Sequence, residues 1–136
     1  MRAVRRAAPS TMLAALIILA AFMPVISGCG ASTREKTIAT AFLATNAARD
    51  GFVEFDAKRQ LAIVDVAKTK EEGQAALFAY RTARAQIIEL FEAVYYAISA
   101  ASVLKNDPKS MPALIDAAKK LQAGLDGLRA SPALAP

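Results

Sequence analysis

The chain has no histidine, no tryptophan and a single cysteine. Without histidine, imidazole general bases, Cys–His nucleophilic pairs and the common His/Cys zinc sites are excluded. Without a second cysteine, no internal disulfide can form. The six glycines fall in no phosphate-cradling pattern, so no nucleotide loop is expected. Any remaining chemistry would rest on carboxylates, either Glu89 and Glu92 one turn apart or Glu54, Asp56 and Asp65. A glycosidase needs two carboxyls facing each other across a bond, whereas acids close together along one helix read as solvated charge. The sequence therefore predicts no enzyme, no metal and no cofactor.

What the chain does have begins at its N-terminus. Arg2, Arg5 and Arg6 precede an apolar run from Thr11 to Ile26, which is interrupted by Pro24 and followed by Ser27, Gly28 and Cys29. A spanning helix needs about 20 apolar residues; this run is shorter. A basic start, a short apolar core and small residues at its end form a secretory signal. Arg5-Arg6 lacks the rest of a twin-arginine pattern and reads as simple positive charge.

The segment Ile26-Ser27-Gly28-Cys29 resembles the lipobox of bacterial lipoproteins, in which an aliphatic residue and two small residues precede the cysteine that is lipidated. The resemblance covers about the first 30 residues. It implies cleavage between Gly28 and Cys29, a diacylglyceryl group on the Cys29 thiol and acylation, such as palmitate, of the new amino group. Two or more acyl chains hold a protein stably on a bilayer, because each buried methylene contributes about 0.8 kcal/mol. In enterobacterial lipoproteins an aspartate after the cysteine retains the protein in the inner membrane. Gly30 at that position implies the periplasmic face of the outer membrane.

Removing residues 1–28 takes away Arg2, Arg5 and Arg6, so the formal charge falls from +5 to +2. The remaining Lys and Arg are interspersed with Asp and Glu, and nucleic-acid binding is not expected. The lipidated end and a short tether occupy 29–32, one helical domain occupies 33–130, and a flexible tail occupies 131–136.

Three helices are predicted. Ser32-Thr33-Arg34-Glu35 reads as a capping box opening the first. Ile38, Ala41, Phe42, Thr45, Ala48, Phe52, Phe55, Ala62, Ile63 and Val66 then form one stripe to near Lys68. Asp50-Gly51 is its weak point, where a kink or two short strands, 52–56 and 61–66, are the alternatives. Thr69-Lys70-Glu71-Glu72 opens the second helix, with a stripe of Leu77, Tyr80, Ala83, Ile87, Leu90, Phe91, Val94, Ala97, Ile98, Ala101 and Leu104. Asn106-Asp107-Pro108 ends it. Ser110 is a candidate N-cap for the third, whose stripe is Leu114, Ala118, Leu121, Leu125 and Leu128. The fold class is all-α: a long antiparallel helical hairpin with a shorter third helix, a three-helix bundle whose third member cannot cover both long partners.

Asn46, Arg49, Asp50 and Glu54 are neighbours along the first helix and form a possible polar cluster facing Arg81 and Arg84. It reads either as a ligand site or as a network setting the hairpin register, and the second reading is preferred. Tyr80 and Tyr95 read as core, Tyr96 as exposed. The leading functional expectation is a lipid-anchored envelope protein that presents a helical surface to an envelope protein or to another copy of itself. A lipoprotein binding a small molecule or lipid, in a pocket of Phe42, Phe52, Ile87, Phe91 and Tyr95, is the second. A phage or envelope lysis or stress lipoprotein is the third.

Overall fold

The computed structural model describes residues 31–131; the signal segment, Gly28 and Cys29 lie outside them. Among the described residues there are three helices: α1 (Ala31–Val66), α2 (Lys70–Val103) and α3 (Ser110–Ala130). No strand occurs among the described residues. At 1.5 Å per residue, α1 and α2 are each about 50 Å long and α3 about 30 Å. The helix α1 begins two residues before Thr33, so Ser32 lies within it rather than before it.

Gly51 does not break α1. A helical glycine costs about 1 kcal/mol relative to alanine, and burial on either side offsets it. Ala48 and Phe52 are both in the core, and the Phe52 ring lies 5.8 Å from that of Phe91 on α2. Packing of this kind fixes the backbone through Asp50-Gly51, and the strand alternative is not realised.

The reversal between α1 and α2 is built as the capping box predicts, with one shift. Thr69 is the N-cap, and its hydroxyl accepts from the Glu72 amide at 3.1 Å. The Glu72 carboxylate accepts from the amide of Lys68 at 3.1 Å, one residue before the cap. Gly73 is buried against this corner, where an added Cβ would sit 3.1 Å from Ala67 Cβ.

The middle helix is the shared one. The main packing is α1 against α2 and α2 against α3, both antiparallel. Ile87, Phe91, Val94, Ile98 and Ala101 of α2 join Leu114, Leu121, Leu125 and Leu128 of α3 and Ala48 and Phe52 of α1 in one core. Gly124 lets α3 approach α2 closely, since a Cβ there would lie 2.6 Å from Leu90 Cδ1. Because α3 rests mainly on α2, the outer face of α1 stays uncovered. Leu43 and Leu61 are each 67 % exposed, and Val53 and Val64 lie open beside them. Val66 and Leu104, placed on the apolar stripes by their spacing, are also exposed. Both sit at helix ends, where there is little facing surface to cover them.

Ser110 does not cap α3. Lys109 occupies the N-cap position without a side-chain bond. The Ser110 hydroxyl instead donates to the Asp107 carbonyl at 2.9 Å and accepts from Arg34 of α1 at 2.6 Å. The Asp107 carboxylate accepts from the Lys109 amide at 2.9 Å and closes the turn.

Candidate functional site

Asn46, Arg49, Asp50 and Glu54 do not converge. The buried face of α1 runs through Ala48, Phe52 and Asp56, which leaves Asp50 and Glu54 on the outside. Asn46 and Arg49 reach across to Tyr95 of α2, the Asn46 Oδ1 accepting from the Tyr95 hydroxyl at 2.6 Å. Arg49 lies 6.0 Å from the centre of the Tyr95 ring and 3.9 Å from the Asp50 carboxylate. Glu54 pairs with Lys58 one turn on, at 2.8 Å and in solvent, and the ammonium holds its pKa below the usual glutamate value. Pairs this exposed contribute little to stability. Arg81 is exposed; Arg84 takes part in a different network.

That network centres on Asp56, which is buried. Its Oδ1 accepts from the fully buried Tyr80 hydroxyl at 2.9 Å and from Gln60 Nε2 at 3.0 Å. Its Oδ2 accepts from Arg84 Nε at 2.8 Å. Burial pushes the Asp56 carboxyl up, but hydrogen bonds from Arg84, Gln60 and Tyr80, together with the Arg84 charge, outweigh it and hold the pKa below the ordinary aspartate value. Burial, reinforced by the adjacent carboxylate, pushes the Tyr80 phenol up. Three hydrogen bonds, two of them from α2, hold the carboxylate between α1 and α2 and fix their register.

A second link joins all three helices near the start of α1. Arg34 Nη2 donates to the carbonyls of Ala101 and Leu104, at 3.0 and 3.1 Å, and to Ser110 Oγ. The last carbonyls of a helix lack intrahelical donors and carry its negative dipole end. Arg34 supplies charge and hydrogen bonds to those of α2. The sequence holds one signal for this: in an antiparallel hairpin, a cation in the first turn of one helix lies beside the last turn of the other.

Four of the residues expected to line a pocket, Phe42, Phe52, Phe91 and Tyr95, pack against one another as two ring pairs. Phe52 packs on Phe91, and Phe42 meets Tyr95 edge to face with centroids 6.2 Å apart. Tyr96 stands in solvent. An open groove of about 830 Å³ lies instead toward the start of α1, between Ile38, Ala39 and Phe42 on one side and Ile98 and Ala101 on the other, with Arg34, Glu35 and Lys105 at its rim. No group of acidic or cysteine side chains that could hold a metal ion occurs among the described residues, and no helix among them is long and apolar enough to cross a membrane.

No protein-family profile, curated protein or solved structure matches the chain.

Proposed function

We propose that this protein is a bacterial lipoprotein whose helical domain, held at the membrane through acyl chains on Cys29, serves as an interaction or structural component of the cell envelope. The observation that carries the reading is the lipobox-like Ile26-Ser27-Gly28-Cys29 directly after a basic, short apolar leader. Support for an interaction role comes from the outer face of α1. Leu43, Val53, Leu61 and Val64 remain open on the outer side of α1, with the charged Asp50 and Glu54 between them, a mixed surface that another macromolecule could cover. The role is read as non-enzymatic from the sequence, which has no histidine and no phosphate-cradling glycine pattern. The site of action is the envelope, on the periplasmic face of the outer membrane if Gly30 sorts as it does in enterobacteria.

Metabolic labelling with an alkyne analogue of palmitate tests this reading. The wild-type chain takes up label and fractionates with membranes, while Cys29→Ser takes up none and accumulates as an uncleaved precursor. Equal labelling of the two would refute it.

A further inference from the structure

The two ends of the hairpin differ in charge. The end where α1 begins and α2 finishes carries Arg34, Lys36, Lys105 and Lys109 against only Glu35 and Asp107. The opposite end, from Asp65 to Glu72, carries Lys68 and Lys70 against Asp65, Glu71 and Glu72. Both ends expose apolar side chains, Val103 and Leu104 at the first and Val64, Val66 and Phe78 at the second, so apolarity does not distinguish them. Charge does. Among the described residues the groove lies at the basic end, with an apolar floor of Ile38, Phe42 and Ile98 and a rim of Arg34, Lys105 and Glu35, the last 3.7 Å from Lys105. The basic end is also the one from which the chain continues back to Cys29, two residues before α1 starts.

We propose that this basic end docks on an anionic phospholipid bilayer, with an acyl chain of an anionic phospholipid lying in the groove and its phosphate drawing Lys105 away from Glu35 at the rim. Lipid membranes of this kind attract basic segments within about a Debye length of the surface. Lysine stems cover apolar surface while their ammonium groups stay at the headgroups, which is the arrangement that Lys105 and Lys109 beside Val103 and Leu104 would adopt. The side of the bundle that faces the bilayer rests on the Cys29 anchor described above; the charge asymmetry and the groove do not depend on it.

The absence of tryptophan allows a direct test. Single reporters Phe42→Trp, Leu104→Trp and, as the distal control, Val66→Trp are placed in the full chain. Each is reconstituted into vesicles of phosphatidylethanolamine and phosphatidylglycerol brominated in their acyl chains, and into neutral phosphatidylcholine vesicles brominated alike. Expected in the anionic vesicles is quenching of the Phe42 and Leu104 reporters at least about twofold stronger than at Val66. Raised salt or the pair Lys105→Glu and Lys109→Glu should reduce that difference. The salt arm needs no added charge substitution, so a misfolded variant does not obscure the result.

Equal quenching of all three reporters, or equal quenching of the Phe42 and Leu104 reporters in anionic and neutral vesicles, would overturn the proposal. So would a concentration-dependent doubling of mass in which a second copy shields the Phe42 reporter from lipid. Labelled Cys29 with uniform quenching defeats the docking and leaves the anchor standing. Unlabelled Cys29 with selective quenching of Phe42 and Leu104 defeats the anchor and leaves the docking standing.

Discussion

Tyr80, fully buried on α2, donates its hydroxyl proton to Asp56 of α1 over 2.9 Å, and Arg84 one turn further along α2 holds the other carboxylate oxygen. The arrangement fixes which turn of α1 faces which turn of α2, because sliding either helix by a turn would strand a buried carboxylate. Leaving one member of a buried network unpaired costs about 1–3 kcal/mol. In a soluble polypeptide starting at Gly30, Tyr80→Phe should lower the unfolding free energy by about 1 kcal/mol and Asp56→Ala by about 2–3 kcal/mol. Urea denaturation of both variants and the double variant measures this. Strictly additive losses would show that the two groups are not coupled.

Acid and base should weaken the fold at opposite ends of the pH scale. The Asp56 pKa is lowered by folding, so its stabilisation is present above the ordinary aspartate range near pH 4 and is lost as pH falls through the lower, folded value. The Tyr80 pKa is raised, so the neutral phenol stabilises below about pH 10, and that contribution fades as pH rises beyond it. Thermal melts across pH should show both flanks, with the alkaline one flattened in Tyr80→Phe.

Arg34 holds the starting end of α1 to the finishing end of α2. Hydrogen bonds from a charged donor are worth about 1.5–3 kcal/mol, and Arg34→Ala should cost about that much. Ser110→Ala should cost about 1 kcal/mol, and little more once Arg34 is gone. Hydrogen exchange locates the effect: amides of α2 near Ala101 and of α3 near Ser110 should open first in Arg34→Ala, while those near Tyr80 keep their protection.

Gly127 lies within α3 and faces open space. Gly127→Ala should therefore stabilise the protein by about 0.5–1 kcal/mol through helix propensity alone. Gly124→Ala must in addition move Leu90 and Ile87, whose methyl groups lie 2.6 and 3.0 Å from the new carbon. Melting temperatures of the two variants should rank Gly127→Ala above Gly124→Ala.

Much of the fold can be read from periodicity. Leu114, Leu121, Leu125 and Leu128 repeat at helical spacing and all four are buried. The Thr69 cap is visible because Glu72 follows at the right distance. The polar links are harder to see, for a physical reason. Asn46, Asp50 and Glu54 are neighbours along α1, but contact along a helix does not tell which side faces the partner. Ala48 and Phe52 set that side, and Asp56, four residues beyond Phe52, falls on it. Its carboxylate draws notice first as possible chemistry, whereas its partners Tyr80 and Arg84 become visible only when α2 is laid antiparallel in register. The groove has no sequence signature at all, since its walls, Ile38, Ala39 and Phe42 of α1 and Ile98 and Ala101 of α2, are brought together only by the register of the hairpin.

The account depends most on Cys29. Intact mass spectrometry of the protein purified from its native membrane tests it directly. The mature chain should begin at Cys29, without residues 1–28, and carry the mass of a diacylglyceryl group with an amide-linked acyl chain. A species retaining Thr11–Ile26 with an unmodified thiol at position 29 would contradict it.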